Sequence, residues 1–254
     1  MRENWGNSKR RELLLQNTLK ENAPKTSQAP LWTRPLWAPV YEAGAIALCF
    51  WTWVALGRRL FAGPSIHPLI VLATLLFGIV AADAASGLIH WFFDTFLEET
   101  TPVVGSRVVA PFREHHRDPL AMTRHGFLEL NGNNCTGLFP ILAAVWWFGP
   151  TEPQSTMWVG GYLFLMTMSF MLIVTNQLHC WAHVASPPRI GFWLQRCGLV
   201  VSPAHHARHH APPHQSSFCV TNGWVNYFAD RFSVFARAER LLVALGLPRK
   251  ASDR

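Results

Sequence analysis

Four apolar runs, residues 40–56, 69–97, 136–148 and 157–178, set the terms for what this chain can fold into. A bilayer offers the backbone no hydrogen-bond partners, so apolar runs of this kind are expected as membrane helices that satisfy their own N–H and C=O groups. The first and fourth match the roughly 20 residues that a span requires. The third is short, and either begins further back in the Asn-rich stretch or stays buried among its neighbours. The second is too long for the hydrocarbon core at roughly 1.5 Å per residue, so it projects a turn or two beyond the membrane. The expected fold is an all-α integral membrane protein of about four transmembrane helices. It is one domain, residues 36–240, between a polar mobile tail (1–35) and a short C-terminal tail (241–254). The first 35 residues carry charges without an apolar core, so no cleavable signal peptide is expected.

Charge placement adds an orientation. Only 15% of residues are charged and half are apolar, against about 25% charged in a soluble domain. The twelve tryptophans suit repeated contact with the membrane interface. A formal charge of +7 would admit nucleic acid, but the basic residues are scattered and form no aromatic-interleaved face, so no nucleic-acid partner is expected. Seven Lys and Arg lie in the N-terminal tail, four between residues 98 and 134, and nine after His179. With four spans, 20 of the 22 fall on one side, which the positive-inside rule makes cytoplasmic. The protein is thus expected to be multi-pass with both termini cytoplasmic, in a bacterial inner membrane or the endoplasmic reticulum. Eleven of the twelve histidines fall on or beside the same side, and His67 alone lies in an outer loop. The five cysteines have no CxxC spacing and are read as reduced and mostly buried.

The eleven histidines come in four clusters. In SGLIHWFFDTF, Gly87, His90 and Asp94 share one helical face with Asp83, one turn before Gly87. An ionisable residue within a span is expensive and faces the bundle interior, as a functional group or as a polar contact between helices. The next loop, PFREHHRDPLAMTRH, holds His115, His116 and His125, with Glu114, Asp118 and Glu129 close enough to orient imidazoles or to bridge metals. TNQLHCWAHV places His179 and His183 at i, i+4, with Asn176 one turn earlier on the same face. SPAHHARHHAPPH carries His205, His206, His209 and His210 as HHxxHH, with His214 just beyond. On a helix these form two i, i+4 pairs on adjacent stripes, able to reach two metals; a surface tract that scavenges metal is the alternative.

Neutral imidazole suits Zn, Cu, Fe and Ni, whereas Mg and Ca take oxygen ligands. A structural zinc closes with four ligands, commonly including cysteine. Eleven histidines exceed that need and suffice for two metals, with carboxylate, amide or water completing the shells. At a membrane boundary such a pair reaches both dioxygen and an aliphatic chain, and oxidising unactivated carbon lies beyond amino-acid side chains alone. No flavin, nicotinamide or haem motif supplies electrons, so a separate redox partner is implied.

Together SGLIHWFFDTF, PFREHHRDPLAMTRH, NGNNC, NQLHCWAH, HHARHH and SSFCVTNGWVNY resemble the plasmanylethanolamine desaturase family over about residues 86–227. The resemblance implies oxygen-dependent desaturation of the 1-O-alkyl chain of an ether phospholipid to the vinyl ether of a plasmalogen. It implies a di-iron centre of two iron ions, O2 as co-substrate, and electrons from cytochrome b5 or an equivalent donor. Carried over by position, the metal ligands are His90, His115, His116, His125, His179, His183, His206, His209 and His210. His205 and His214 match family histidines as ligands or as supports of ligands, and Asp94 matches an aspartate beside the first histidine. Asn176 is placed as holding a metal-bound water. Gly126 and Asn133 stand where relatives carry acidic residues, and Gln215 where Glu is frequent, which bears on head-group or partner contacts. A plant plastid relative shares the histidine pattern but acts on an acyl chain. Two alternatives therefore stand beside the ether-lipid reading: an acyl-lipid desaturase or hydroxylase with the same site, and a non-catalytic metal-binding membrane regulator.

Overall fold

A computed structural model describes residues 35–250; the expected mobile tail therefore lies, but for its last residue, outside the described residues. Among these all long regular elements are helices, and there is no strand. The long helices are α1 (Ala38–Ala62), α2 (Pro68–Thr95), α4 (Phe127–Phe148) and α5 (Thr156–His183), and the short ones α3 (Ala110–Arg117), α6 (Arg189–Arg196), α7 (Pro203–His206), α8 (Trp224–Arg231) and α9 (Val234–Ala244). Boundaries follow local chemistry. Proline opens α2 and sits in the first turn of α1, α3 and α7, where its missing N–H costs nothing. Ser202 caps α7 by accepting from the His205 N–H at 3.2 Å.

By length and composition α1, α2 and α5 can cross a membrane. About four spans were expected, and among the described residues these three helices are long and apolar enough. The third apolar run does begin further back, in the Asn-rich stretch, giving a 22-residue α4. Its first two turns, FLELNGNN, make it too polar to count by composition. The 28 residues of α2 extend about 42 Å, well over the roughly 30 Å of hydrocarbon. Apolar side chains such as Phe50 and Trp51 on α1 and Leu72, Leu76 and Phe77 on α2 face outward. Water would penalise such faces, and lipid solvates them. The chain is a membrane protein.

The described chain divides into two compact units. One is described over residues 35–86 and 125–177, where α1 packs against α4 around Cys49, Leu56, Cys135, Leu142, Tyr162 and Met166. The Trp53 indole donates to the Met166 carbonyl at 3.0 Å, so a polar group in that apolar setting is satisfied. The other unit, described over 87–124 and 178–250, has its core in Trp91, Phe96, Phe218, Cys219, Ala229 and Phe235. Leu242 and Leu247 pack against that core, so the segment after residue 240 joins this unit. All five cysteines are free and only Cys197 is exposed, as the sequence implied.

Candidate metal centre

Four stretches of the second unit meet at one place: the last turns of α2, the middle of α3, the last turn of α5, and α7 with the turn after it. They gather nine side chains into two groups, each with its ligand atoms within 4.8 Å of one another. Group one is His115, His179, His183, His206 and His210; group two is His90, Asp94, His116 and His209. In group one, His206 Nε2 lies 2.7 Å from His179 Nε2 and 3.0 Å from His210 Nε2. His210 Nε2 is in turn 3.0 Å from His115 Nε2, and His183 Nε2 is 3.3 Å from His179 Nε2. In group two, Asp94 Oδ2 stands 2.8, 3.4 and 3.5 Å from the Nε2 atoms of His116, His90 and His209. The groups adjoin: ring centroids are 5.5 Å apart for His115 and His116, and 5.7 Å for His206 and His209.

Local geometry explains the sorting. Residues at i, i+4 share a helical face, so His179 with His183, and His90 with Asp94, stay together. Adjacent residues diverge by about 100° on a helix, so His115 enters one group and His116 the other. After His206 the backbone tightens, with Arg208 N bonded to His205 O and His209 N to His206 O at three-residue spacing. The pattern HHARHH is therefore not two parallel stripes. His206 and His210 remain in one group and His209 joins the other. His205 turns away and accepts from the Asn226 amide at 3.1 Å, packed over Gly223.

Backbone carbonyls aim two of the rings. His90 Nδ1 faces the Phe218 carbonyl at 3.1 Å and His209 Nδ1 faces that of Ser216 at 3.0 Å. Opposite a carbonyl a ring nitrogen can only donate, which leaves each Nε2 as a bare lone pair toward group two. The 216–219 strap that supplies these carbonyls is itself held. Asn226 exchanges two hydrogen bonds with the Cys219 backbone, both 2.8 Å, and Asp230 accepts from Ser217 N and Oγ at 3.0 and 2.8 Å. The strap lies directly on α2 at Gly87, where an added Cβ would overlap the Cys219 sulfur and stand 3.1 Å from its nitrogen. Buried Arg113 ties the end of α2 by donating to the Phe93, Asp94 and Leu97 carbonyls.

Electrostatics favour neutral imidazole. Burial holds His115 and His206 well below the usual histidine range, and the surrounding imidazoles add to the effect. Burial lowers His210 in the same way, and lowers His116 against the opposing pull of Asp94. Neutral imidazole is the metal-binding form. Nitrogen atoms converging at about 3 Å repel one another unless a shared proton or a metal cation lies between them. Two metal–nitrogen bonds of about 2.1 Å meeting at 90–109° separate their nitrogens by roughly 3.0–3.4 Å. Most of the observed spacings fall in or beside that range, so the residues fit two metal ions. His90 Nε2 and Asp94 Oδ1, buried without a hydrogen bond, fit the same account.

Of the residues singled out in the sequence, eight of the nine proposed ligand histidines and Asp94 come together. His125 enters neither group; its Nδ1 lies 2.7 Å from Glu129. Asn176 donates to the Leu130 carbonyl at 2.7 Å and to Asn134 at 3.2 Å. His214 Nδ1 lies 3.1 Å from the His209 carbonyl, its ring 5.0 Å from that of His116. His67 receives the Leu69 N–H at 3.3 Å and joins neither group. Sequence reasoning assigned no role to Arg113, Asn226 or Asp230. The one available signal was their place in PFREHH and SSFCVTNGWVNYFAD, beside strings already singled out.

Residues 79–250 match the lipid desaturase domain family. The chain is similar to plasmanylethanolamine desaturase of Myxococcus xanthus, 40% identical over 201 residues, 79% of this chain and 70% of the relative. It is similar to plasmanylethanolamine desaturase 1 of Mus musculus, 36% identical over 183 residues, 70% of this chain and 66% of the relative. Chloroplastic fatty acid desaturase 4 of Arabidopsis thaliana is 31% identical over 211 residues, 82% of this chain and 61% of the relative. No solved structure matches the chain.

Proposed function

The chain belongs to the lipid desaturase family, and from that premise we propose that it converts the 1-O-alkyl chain of an ether phospholipid, plasmanylethanolamine, to the vinyl ether of a plasmalogen. The observation that carries this reading is the pair of adjoining ligand groups. Forming the double bond removes two hydrogens from the first two carbons of the ether chain. Dioxygen takes four electrons and four protons to leave as two waters. The substrate supplies half, so two electrons and two protons come from outside, the electrons through cytochrome b5 or an equivalent carrier.

Two iron ions are the proposed metals, and when bound they supply the dioxygen activation that side chains lack. His115, His179, His183, His206 and His210 would hold one, and His90, Asp94, His116 and His209 the other. The strap carbonyls fix the His90 and His209 rings, and Arg113 fixes the helix end that carries Asp94. Supporting groups of this kind typically contribute 10- to 100-fold in affinity or activity. The protein is further proposed to be multi-pass with both termini cytoplasmic, supported by the one-sided placement of its basic residues.

The test is chemical. Vinyl ethers release aldehydes in acid, so membranes that make plasmanyl lipid but lack a desaturase should yield acid-released aldehyde once this chain is expressed. The similarity to a plant fatty acid desaturase supports a second reading, action on an acyl chain. Unsaturated ester chains with no acid-released aldehyde would select it.

A further inference from the structure

Beside group two lies a cavity of about 380 Å³, with Asp94 and His116 of that group in its wall. The same wall presents four cationic side chains, Arg113, Arg117, Arg249 and Lys250, against the carboxylates of Asp94 and Glu239. Arg113 is committed to the carbonyls of Phe93 and Leu97 at the end of α2 and just beyond it. Arg117 pairs with Glu99 at 2.8 Å and Arg249 with Glu239 at 2.9 Å, and both arginines are about half exposed, at 46% and 50%. Exposed pairs of this kind are weak and exchange readily for a better anion. The backbone N–H of Lys250 donates to the Thr95 carbonyl at 3.0 Å, which pins the C-terminal segment beside the cavity. Trp91, Phe218 and Phe235 supply apolar wall.

We propose that this cavity seats the phosphodiester of the substrate phospholipid, with Arg117, Arg249 and Lys250 as its recognition set. The assignment rests on the ether-phospholipid reading, because its warrant is reach. In a 1-O-alkyl phospholipid the reacting carbons lie only about six bonds, roughly 7–8 Å, from phosphorus. Metals that act there must have the phosphate close by, in a polar recess next to their ligands. A reaction far along the chain would instead need a long apolar channel at that place. A cationic cavity of this size, with metal-group side chains in its own wall, meets the first requirement. Arginine is the residue best matched to a phosphodiester, through two parallel hydrogen bonds.

The experiment uses the full chain, metal-loaded and in lipid nanodiscs. Its two substrates are plasmanylethanolamine and the 1-O-alkyl-2-acylglycerol that lacks the phosphate. Arg117→Gln and Arg249→Gln should each raise KM for the phospholipid about tenfold, with kcat held within about twofold, and leave KM for the phosphate-free substrate unchanged. Arg117→Lys and Arg249→Lys should recover part of the loss, which a folding defect would not allow. Equal losses on both substrates, or a wild type indifferent to the phosphate, would overturn the assignment. Competition by inorganic phosphate as tight as that by the lipid would reassign the cavity to a free anion. Binding of a fluorescent phospholipid separates this idea from the parent reading. Charge-dependent binding without vinyl-ether product sinks the ether reading and leaves the cavity assigned. Vinyl-ether product with KM unmoved by the arginine substitutions does the reverse.

Discussion

Asp94 carries more of the chemistry than its place beside one histidine suggested. Its Oδ2 faces three imidazole nitrogens at 2.8–3.5 Å, so it is the one anion among the nine side chains of the two groups. Asp94→Ala should reduce bound metal from about two ions per chain to about one and lower product by at least the 10- to 100-fold typical of lost supporting groups. Metal analysis alongside the aldehyde assay, both normalised to membrane-inserted protein, checks it. The histidines divide along the same geometry. His179→Ala, His206→Ala and His209→Ala should abolish product, whereas His67→Ala should leave it nearly intact. His205→Ala should be graded and keep both metals, because its ring meets Asn226 and not the metal groups. His125→Ala should also keep both metals, its partner being Glu129. An inactive His67→Ala beside an active His179→Ala would mean that the site has been placed among the wrong residues.

At the scale of elements, the working part is the 216–219 strap against the last turns of α2. The helix supplies His90 and Asp94, while the strap fixes the His90 and His209 rings through its carbonyls. Gly87 allows the two to touch. Gly87→Ala should destabilise this unit by about 1–3 kcal/mol, the usual range for overpacking, and should loosen group two before group one. Combining it with Cys219→Ala removes the overlapping sulfur and should recover part of the loss, a coupling that a double-mutant cycle measures. Asn226→Ala frees one end of the strap and should lower metal affinity without emptying group one. Full metal occupancy and normal product in Asn226→Ala would show that the strap carbonyls do not set ring orientation.

For the molecule as a whole, the nine clustered ligand atoms make metal binding part of the stability of one unit. Chelation should therefore raise hydrogen exchange in residues 87–124 and 178–250, while α1 and α4 keep their protection. Equal loosening of both units would contradict this. Iron-replete protein should hold about two irons per chain, and one zinc with no iron would remove the di-iron proposal. Orientation is tested with the native exposed thiol of Cys197. A membrane-impermeant reagent applied to intact cells should miss it and should label Ser65→Cys, which is exposed in the loop between α1 and α2.

Much of this was legible in the residues. Apolar run length dictated helices, because backbone groups in lipid must be satisfied within the segment. The i, i+4 spacing fixed that His179 with His183 and His90 with Asp94 act together, since that relation is set by one helix's own geometry. The one-sided distribution of eleven histidines marked the site. Which atoms converge was not legible. Periodicity gives a side chain's direction about its own axis, not which other axes it will meet. One helix's geometry turns His115 and His116 apart, but only the tertiary structure gave each a group to join and drew His209 away from His210. It also turned His205 toward Asn226, paired His125 with Glu129, and brought Asp94 into a ligand group. The strap and the cationic cavity depend on contacts among segments more than 100 residues apart, and a metal site is decided by ångström distances between such segments.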